Sequence, residues 1–137
     1  MGVMLDSSVL IAAERGKLQL PSLLDSLGAQ PVGISAVTAA ELLHGCHRGK
    51  DAGIRARRFA FVEALLELIP IRPFGLVEAR RHAEVWAELG KRGMLIGAHD
   101  MQIGATALAR GDALATLNTQ DFARIPGLRL VPLEHHT

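Results

Sequence analysis

The pattern that most constrains this chain is a repeat of short apolar runs, each broken off at a helix-capping residue and followed by a segment of helical periodicity. Val3-Met4-Leu5 stops at Asp6-Ser7-Ser8, three residues that can all cap the helix running to about Arg15, and Gly16 ends that helix. Pro21 fits the first turn of a short helix that lasts through Leu27 and closes at Gly28. Pro31-Val32-Gly33-Ile34 reads as a second strand, with Ser35 capping a helix over 36–47. Ile54, Arg57, Arg58, Phe61, Leu65 and Leu68 recur at helical spacing and predict an amphipathic helix over 54–67. Residues 69–72 return to strand. Pro73 then opens a long helix to near Gly93, with Leu76, Ala79, Ala83, Trp86 and Leu89 on one face. A helix over 98–110 stops at Gly111, and 113–117 and 128–133 are the last strand candidates, divided by a polar loop.

This alternation predicts an α/β fold with a mostly parallel sheet of about five strands, covered by helices on both faces. In such sheets the chemistry gathers at the carboxyl ends of the strands. With 137 residues and 49% hydrophobic content, the chain can bury one core but is short for two, so a single domain over 1–137 is expected.

The formal net charge of +1 hides an uneven mixture, because the only lysines among the 15 basic residues are Lys17, Lys50 and Lys91. Arginine suits phosphate and carboxylate partners. The densest basic stretch, with Arg48, Lys50, Arg55, Arg57 and Arg58, can follow a phosphate backbone or simply form a solvated helix face. A lone cysteine, Cys46, forms no internal disulfide, and no segment approaches the roughly 18 apolar residues of a membrane span. A cytoplasmic protein is expected.

Four acids fall where the carboxyl rim of the sheet is predicted. Asp6 ends the first strand, where it is also a natural N-cap. Glu41 lies one or two turns into the helix that follows the second strand. Thr38 and Glu41 read as a capping box, unless Ser35 is the true cap and Glu41 is left as an acid on an apolar segment. Asp100 stands in the first turn of the helix over 98–110, where the helix dipole alone would favour it. Asp121 follows the strand over 113–117, in a loop where Asn118 and Asp121 are ordinary turn formers. Each acid has a bland explanation, but the conjunction is harder to dismiss. Clustered carboxylates repel, and Mg²⁺ or Mn²⁺ with oxygen ligands resolves the conflict. A rival zinc set of His44, Cys46 and His47 lacks a fourth ligand at suitable spacing. His99 reads either as a cleft residue or as a surface residue at a helix start.

Four blocks carry a resemblance to a known family: Met4-Leu5-Asp6-Ser7-Ser8-Val9-Leu10-Ile11, Ile34-Ser35-Ala36-Val37-Thr38-Ala39-Ala40-Glu41-Leu42, His99-Asp100-Met101-Gln102-Ile103-Gly104-Ala105-Thr106-Ala107-Leu108, and Leu117-Asn118-Thr119-Gln120-Asp121-Phe122. In this order and at this chain length, the sequence resembles the PIN-domain ribonucleases, and within them the VapC toxins of toxin-antitoxin pairs. Ser7 stands where Thr is common, and Gly104 where Ala is frequent.

The resemblance implies a PIN-like α/β/α sandwich and a Mg²⁺-dependent endoribonuclease, with Mn²⁺ as the alternative ion. In such an enzyme, metal-activated water cleaves RNA to leave a 5′-phosphate and a 3′-hydroxyl. It implies that Asp6 and Asp100 are principal ligands, that Glu41 and Asp121 complete the cluster directly or through water, and that Ser7, Thr116 and Asn118 orient the carboxylates. It also implies a VapB-like antitoxin, a homodimer and a toxin-antitoxin hetero-oligomer. Exposed apolar residues on the helices over 21–27 and 54–68 are candidate antitoxin contacts. A PIN nuclease without a toxin role and a non-catalytic RNA- or partner-binding PIN module are the alternatives. An aspartyl-phosphate enzyme is disfavoured because Ser8, not an acid, stands two residues after Asp6.

Overall fold

A computed structural model describes residues 1–137, and its centre is a four-stranded parallel sheet in the order β3-β2-β1-β4. The strands are β1 (Val3–Leu5), β2 (Val32–Ser35), β3 (Ile71–Arg72) and β4 (Ala113–Ala115). The helices are α1 (Ser7–Glu14), α2 (Leu20–Leu27), α3 (Ala36–His47), α4 (Ala52–Leu68), α5 (Leu76–Lys91), α6 (Ala98–Arg110) and α7 (Thr119–Phe122). A 3-10 turn at Glu134–His136 follows.

The pleat sorts the two cores. Side chains alternate faces along a strand, so Val3, Leu5 and Ala115 point into one cluster, with Val9, Leu10, Leu23, Leu42, Val62 and Leu65 from α1 to α4. Met4 and Leu114 point the other way, against Val85 and Leu89 of α5, Met101 and Ile103 of α6, and Phe122. The result is an α/β/α sandwich. The chain runs from β1 to β2 and β3 on one side and returns to the other side of β1 as β4. The strand order therefore reverses between β1 and β4, which leaves a crevice at their carboxyl ends.

Three expectations need correction. The segment over 128–133 is no full strand: it meets β4 through one bridge, Leu114 to Leu130, with Val131 donating to the Leu114 carbonyl at 2.9 Å. Pro132 has no N–H to continue the ladder. The long helix starts at Leu76 behind Gly75, not at Pro73, and Glu78 reaches back to the Gly75 N–H at 2.9 Å. Its predicted face holds at Leu89, which is buried, but Leu76 and Trp86 are 67% and 55% exposed and Val85 is buried in their place. Apolar residues lie almost all round α5, so periodicity alone could not choose a face. His82 instead lies between two rings, edge-on to Phe74 at 5.7 Å and tilted against Trp86 at 5.6 Å between ring centroids.

Gly111, at φ 71°, supplies the left-handed residue that ends α6. Gly104 has a different reason. A Cβ there would collide with Cδ1 of Ile125, so the larger Ile side chain occupies the space a methyl would need. Overpacking costs about 1–3 kcal/mol, and a helix-interior Gly to Ala change gains about 1. Gly104→Ala should therefore lower stability by about 1 kcal/mol in the wild-type background and raise it in an Ile125→Val background. Urea unfolding of the four proteins in this double-mutant cycle measures both effects, and a Gly104→Ala protein more stable than wild type would sink the packing explanation.

Candidate functional site

Asp6 occupies the N-cap position of α1 with extended backbone, φ −77° and ψ 155°, yet its side chain makes no capping bond. It is 3% exposed and turns into the crevice, where Oδ2 accepts from Ser8 Oγ at 2.7 Å and from Thr116 Oγ1 at 2.8 Å. Its backbone N–H donates to the Ala115 carbonyl at 2.9 Å, which extends the β1–β4 ladder to the rim. A buried carboxylate with two hydroxyl donors is held in one orientation.

The capping-box explanation for Glu41 fails, because Ser35 caps α3 by accepting from the Thr38 N–H at 2.9 Å. Glu41 instead accepts from Ser7 Oγ at 3.0 Å through Oε1, while His99 Nδ1 lies 3.4 Å from Oε2. Asp121 sits in the first turn of the short helix α7 rather than in an open loop. Asn118 precedes that helix without capping it by its side chain. Its Nδ2 donates to Asp100 Oδ2 at 3.0 Å and to Asp121 Oδ2 at 3.3 Å, so one amide spans two carboxylates.

The rim thus brings together Asp6, Glu41, Asp100 and Asp121, with Ser7, Thr116 and Asn118 each bonded to at least one of them. One member goes unpredicted, Ser8, and one open alternative is decided, His99. Ser8 was read only as a helix cap, although a hydroxyl two residues after a strand-end Asp can reach that carboxylate. His99 extends its ring across to Glu41 with 61% of its side chain exposed, a placement that only the α3–α6 packing decides.

No Lys or Arg forms an ion pair with any of the four acids. The electrostatic result falls on Asp100, which is pushed up to about 6, first by burial, then by the charges of Asp6, Glu41 and Asp121, against a lowering hydrogen bond from Asn118. Uncompensated carboxylate oxygens fit a hard divalent cation. No three acidic or histidine side chains are close enough to grip one ion together. An ion held here would keep several waters and bind through one or two carboxylates.

The zinc alternative fares worse. Cys46 is 1% exposed in the core, and burial, then Glu14, pushes its thiol up, the opposite of what a metal-binding thiolate needs. His47 stacks edge-on against Phe59 at 5.0 Å. Within the basic stretch, Arg55 and Arg58 each donate at 3.0 Å to carbonyls near the end of α3, those of Gly49 and Gly45. Arg48, Lys50 and Arg57 are exposed without an acidic partner. The apolar residues of α2 and α4 mostly face inward, with Leu23, Leu27, Val62 and Leu65 buried and Leu68 the 79% exposed exception.

The PIN domain family matches residues 3–128. The chain is 39% identical over 131 residues to the protein named Ribonuclease VapC1 of Rickettsia felis, covering 96% of each. It is 29% identical over 126 residues to the tRNA(fMet)-specific endonuclease VapC of Shigella flexneri, covering 92% of this chain and 93% of that one. Among solved structures it is similar to VapBC2 from Rickettsia felis bound to a DNA fragment from its promoter, with TM-score 0.87, 26% identity, and 96% and 98% of the two chains covered.

Asp100 titrates at about 6 in the folded protein against an ordinary 3.8, so the folded state holds its proton more tightly than the unfolded chain does. Its ionisation therefore costs stability; the cost is fully present above about pH 6 and fades as pH falls through 6 toward 3.8. Without metal, Asp100→Asn should raise stability at pH 7.5 by about 1 kcal/mol after solvent screening, a shift of a few degrees in Tm. The gain should vanish near pH 4. Thermal melts in EDTA across that range check it, and a variant less stable than wild type at pH 7.5 would show that the repulsion is not there.

Proposed function

The chain belongs to the PIN-domain family as a ribonuclease of the VapC type, and from that premise we propose that it is a divalent-metal-dependent endoribonuclease serving as the toxic half of a toxin-antitoxin pair. One observation supports the metal reading above all others: four carboxylates share a rim where no Lys or Arg pairs with them, and Asp100 bears the strain at about 6. A Mg²⁺ or Mn²⁺ ion bound there supplies Lewis-acid stabilisation of phosphoryl oxygens and an activated water.

The chain's own groups divide the remaining work. Ser8 and Thr116 fix Asp6 at the crevice floor, and Asn118 keeps Asp100 and Asp121 at a constant separation. Asp6 and Asp100 are the direct ligands in this reading. Both oxygens of Glu41 already face Ser7 and His99, which suits a contact through water. Hydrolysis leaves a 5′-phosphate and a 3′-hydroxyl. Arg48, Lys50 and Arg57, with Arg55 and Arg58 behind them, hold flanking phosphates without reading sequence.

The partner is a VapB-like antitoxin, as in the VapBC assembly to which the fold is similar. A small hollow of about 50 Å³ beside Glu41, lined by Leu10, Ile11, Leu42, Phe61 and Arg58, has room for one apolar side chain of the partner, whose Arg would pair with the carboxylates next to it. The homodimer and the toxin-antitoxin hetero-oligomer belong to the same reading. Outward-facing Leu76, Val77 and Trp86 are the apolar surface such an assembly would cover. No helix is long and apolar enough to cross a membrane, and a cytoplasmic setting suits the free thiol of Cys46.

The purified chain should cut RNA in Mg²⁺ or Mn²⁺ and stop in EDTA. Asp6→Asn and Asp100→Asn should lower kcat/KM by about 10²–10³, and Ser8→Ala or Thr116→Val by about 10–100. Equal RNA loss with wild type and all four variants would mean that the activity is a contaminant and the proposed site is inert.

A further inference from the structure

On the far side of Thr116 from the acids lies a cavity of about 440 Å³, between the end of β4 and the carboxyl-terminal segment. That volume falls within the roughly 300–1,000 Å³ of small-ligand sites. Thr116 is common to both places: it lines the cavity and its hydroxyl holds Asp6. Leu117, 44% exposed, forms the near wall, and its N–H donates at 3.0 Å to the same Ser8 hydroxyl that donates to Asp6. The opposite wall is Leu130, Pro132 and Glu134. It is anchored to α2, because the His136 carbonyl accepts from the Gln19 N–H at 2.7 Å and His136 Nδ1 lies 2.8 Å from Ser22 Oγ.

The lining contains apolar side chains, threonine hydroxyls and one carboxylate, but no Lys, Arg or His. A phosphate has no counter-charge there. A flat, neutral ring with hydrogen-bond donors on its edge does fit. We propose that this cavity receives an unstacked nucleobase of the RNA beside the cut phosphate, with Leu117 against the ring face and Glu134 accepting from an amino group on the base edge. The inference rests on the ribonuclease reading above. Specific recognition of RNA generally works on bases splayed out of single-stranded loops. An ionised carboxylate only accepts hydrogen bonds, so it favours guanine, whose N1–H and N2 amino group can meet both oxygens, and the amino groups of adenine and cytosine, over uracil, whose single N3–H donor sits between two carbonyls that repel the carboxylate. The cavity is thus a specificity site built onto the cleavage rim, tied to Asp6 directly through the Thr116 hydroxyl and, from Leu117, through that of Ser8.

The test uses the full chain with Mn²⁺ on a mixed RNA pool, sequencing the new 5′ ends for wild type, Leu117→Ala and Glu134→Gln, with Asp100→Asn as background. Both wall residues are exposed, so their replacement leaves the core intact. Wild type should disfavour uracil about tenfold at one position flanking the cut. Glu134→Gln, whose amide can also donate to uracil, should relax that bias, and Leu117→Ala should flatten preference at the same position alone. Cutting with no flanking preference, or with a preference unchanged in both variants, overturns the cavity's role and leaves the ribonuclease reading standing. Ends no more frequent than in the Asp100→Asn background would overturn the ribonuclease reading and this inference with it.

Discussion

Mutual repulsion among Asp6, Glu41, Asp100 and Asp121 is the constraint around which the molecule is arranged. Like charges in a partly buried crevice disfavour ionisation, and no Lys or Arg offsets them. The fold instead surrounds the carboxylates with neutral donors: hydroxyls at Asp6, a hydroxyl at Glu41, and one amide shared by Asp100 and Asp121. Neutral donors orient a carboxylate without neutralising it. The net negative charge therefore stays available to a cation, which an Arg in the same place would have displaced.

Holding those donors in register requires the sheet. Thr116 reaches Asp6 because β4 pairs with β1 in parallel through Leu5 and Ala115, so the residues just past both strands leave the ladder side by side. Ser35 caps α3 from the end of β2 and thereby frees Glu41. The two cores fix the layers that carry these ends, and Phe122, fully buried, pins α7 so that Asp121 and Asn118 meet α6. Packing far from the rim thus sets distances at the rim to within hydrogen-bond tolerance.

Much of this was legible in the sequence where local chemistry was unambiguous. The strand ends at Asp6 and Ser35, the cap at Ser35 and the stop at Gly111 follow from residue types at adjacent positions. What stayed hidden depended on contacts between distant segments. The inward face of α5 was partly misread because apolar side chains occur on several of its faces, and only the docking of α6 selects Val85 and Leu89. His99 joins Glu41 across 58 positions in sequence, and Ser8, in the first turn of α1, serves Asp6 rather than capping the helix. The basic stretch looked uniformly available, yet two of its arginines spend donors on the carbonyls of Gly45 and Gly49.

The claim on which the rest depends is that these carboxylates hold a divalent cation together, and anomalous diffraction from crystals grown with Mn²⁺ at neutral pH tests it most directly. A peak within about 2.0–2.5 Å of oxygens of Asp6 and Asp100, with Glu41 and Asp121 at water-bridging distance, is the predicted result. A saturated crystal with no peak among the four acids, or with manganese only at His44 and His47, would contradict it.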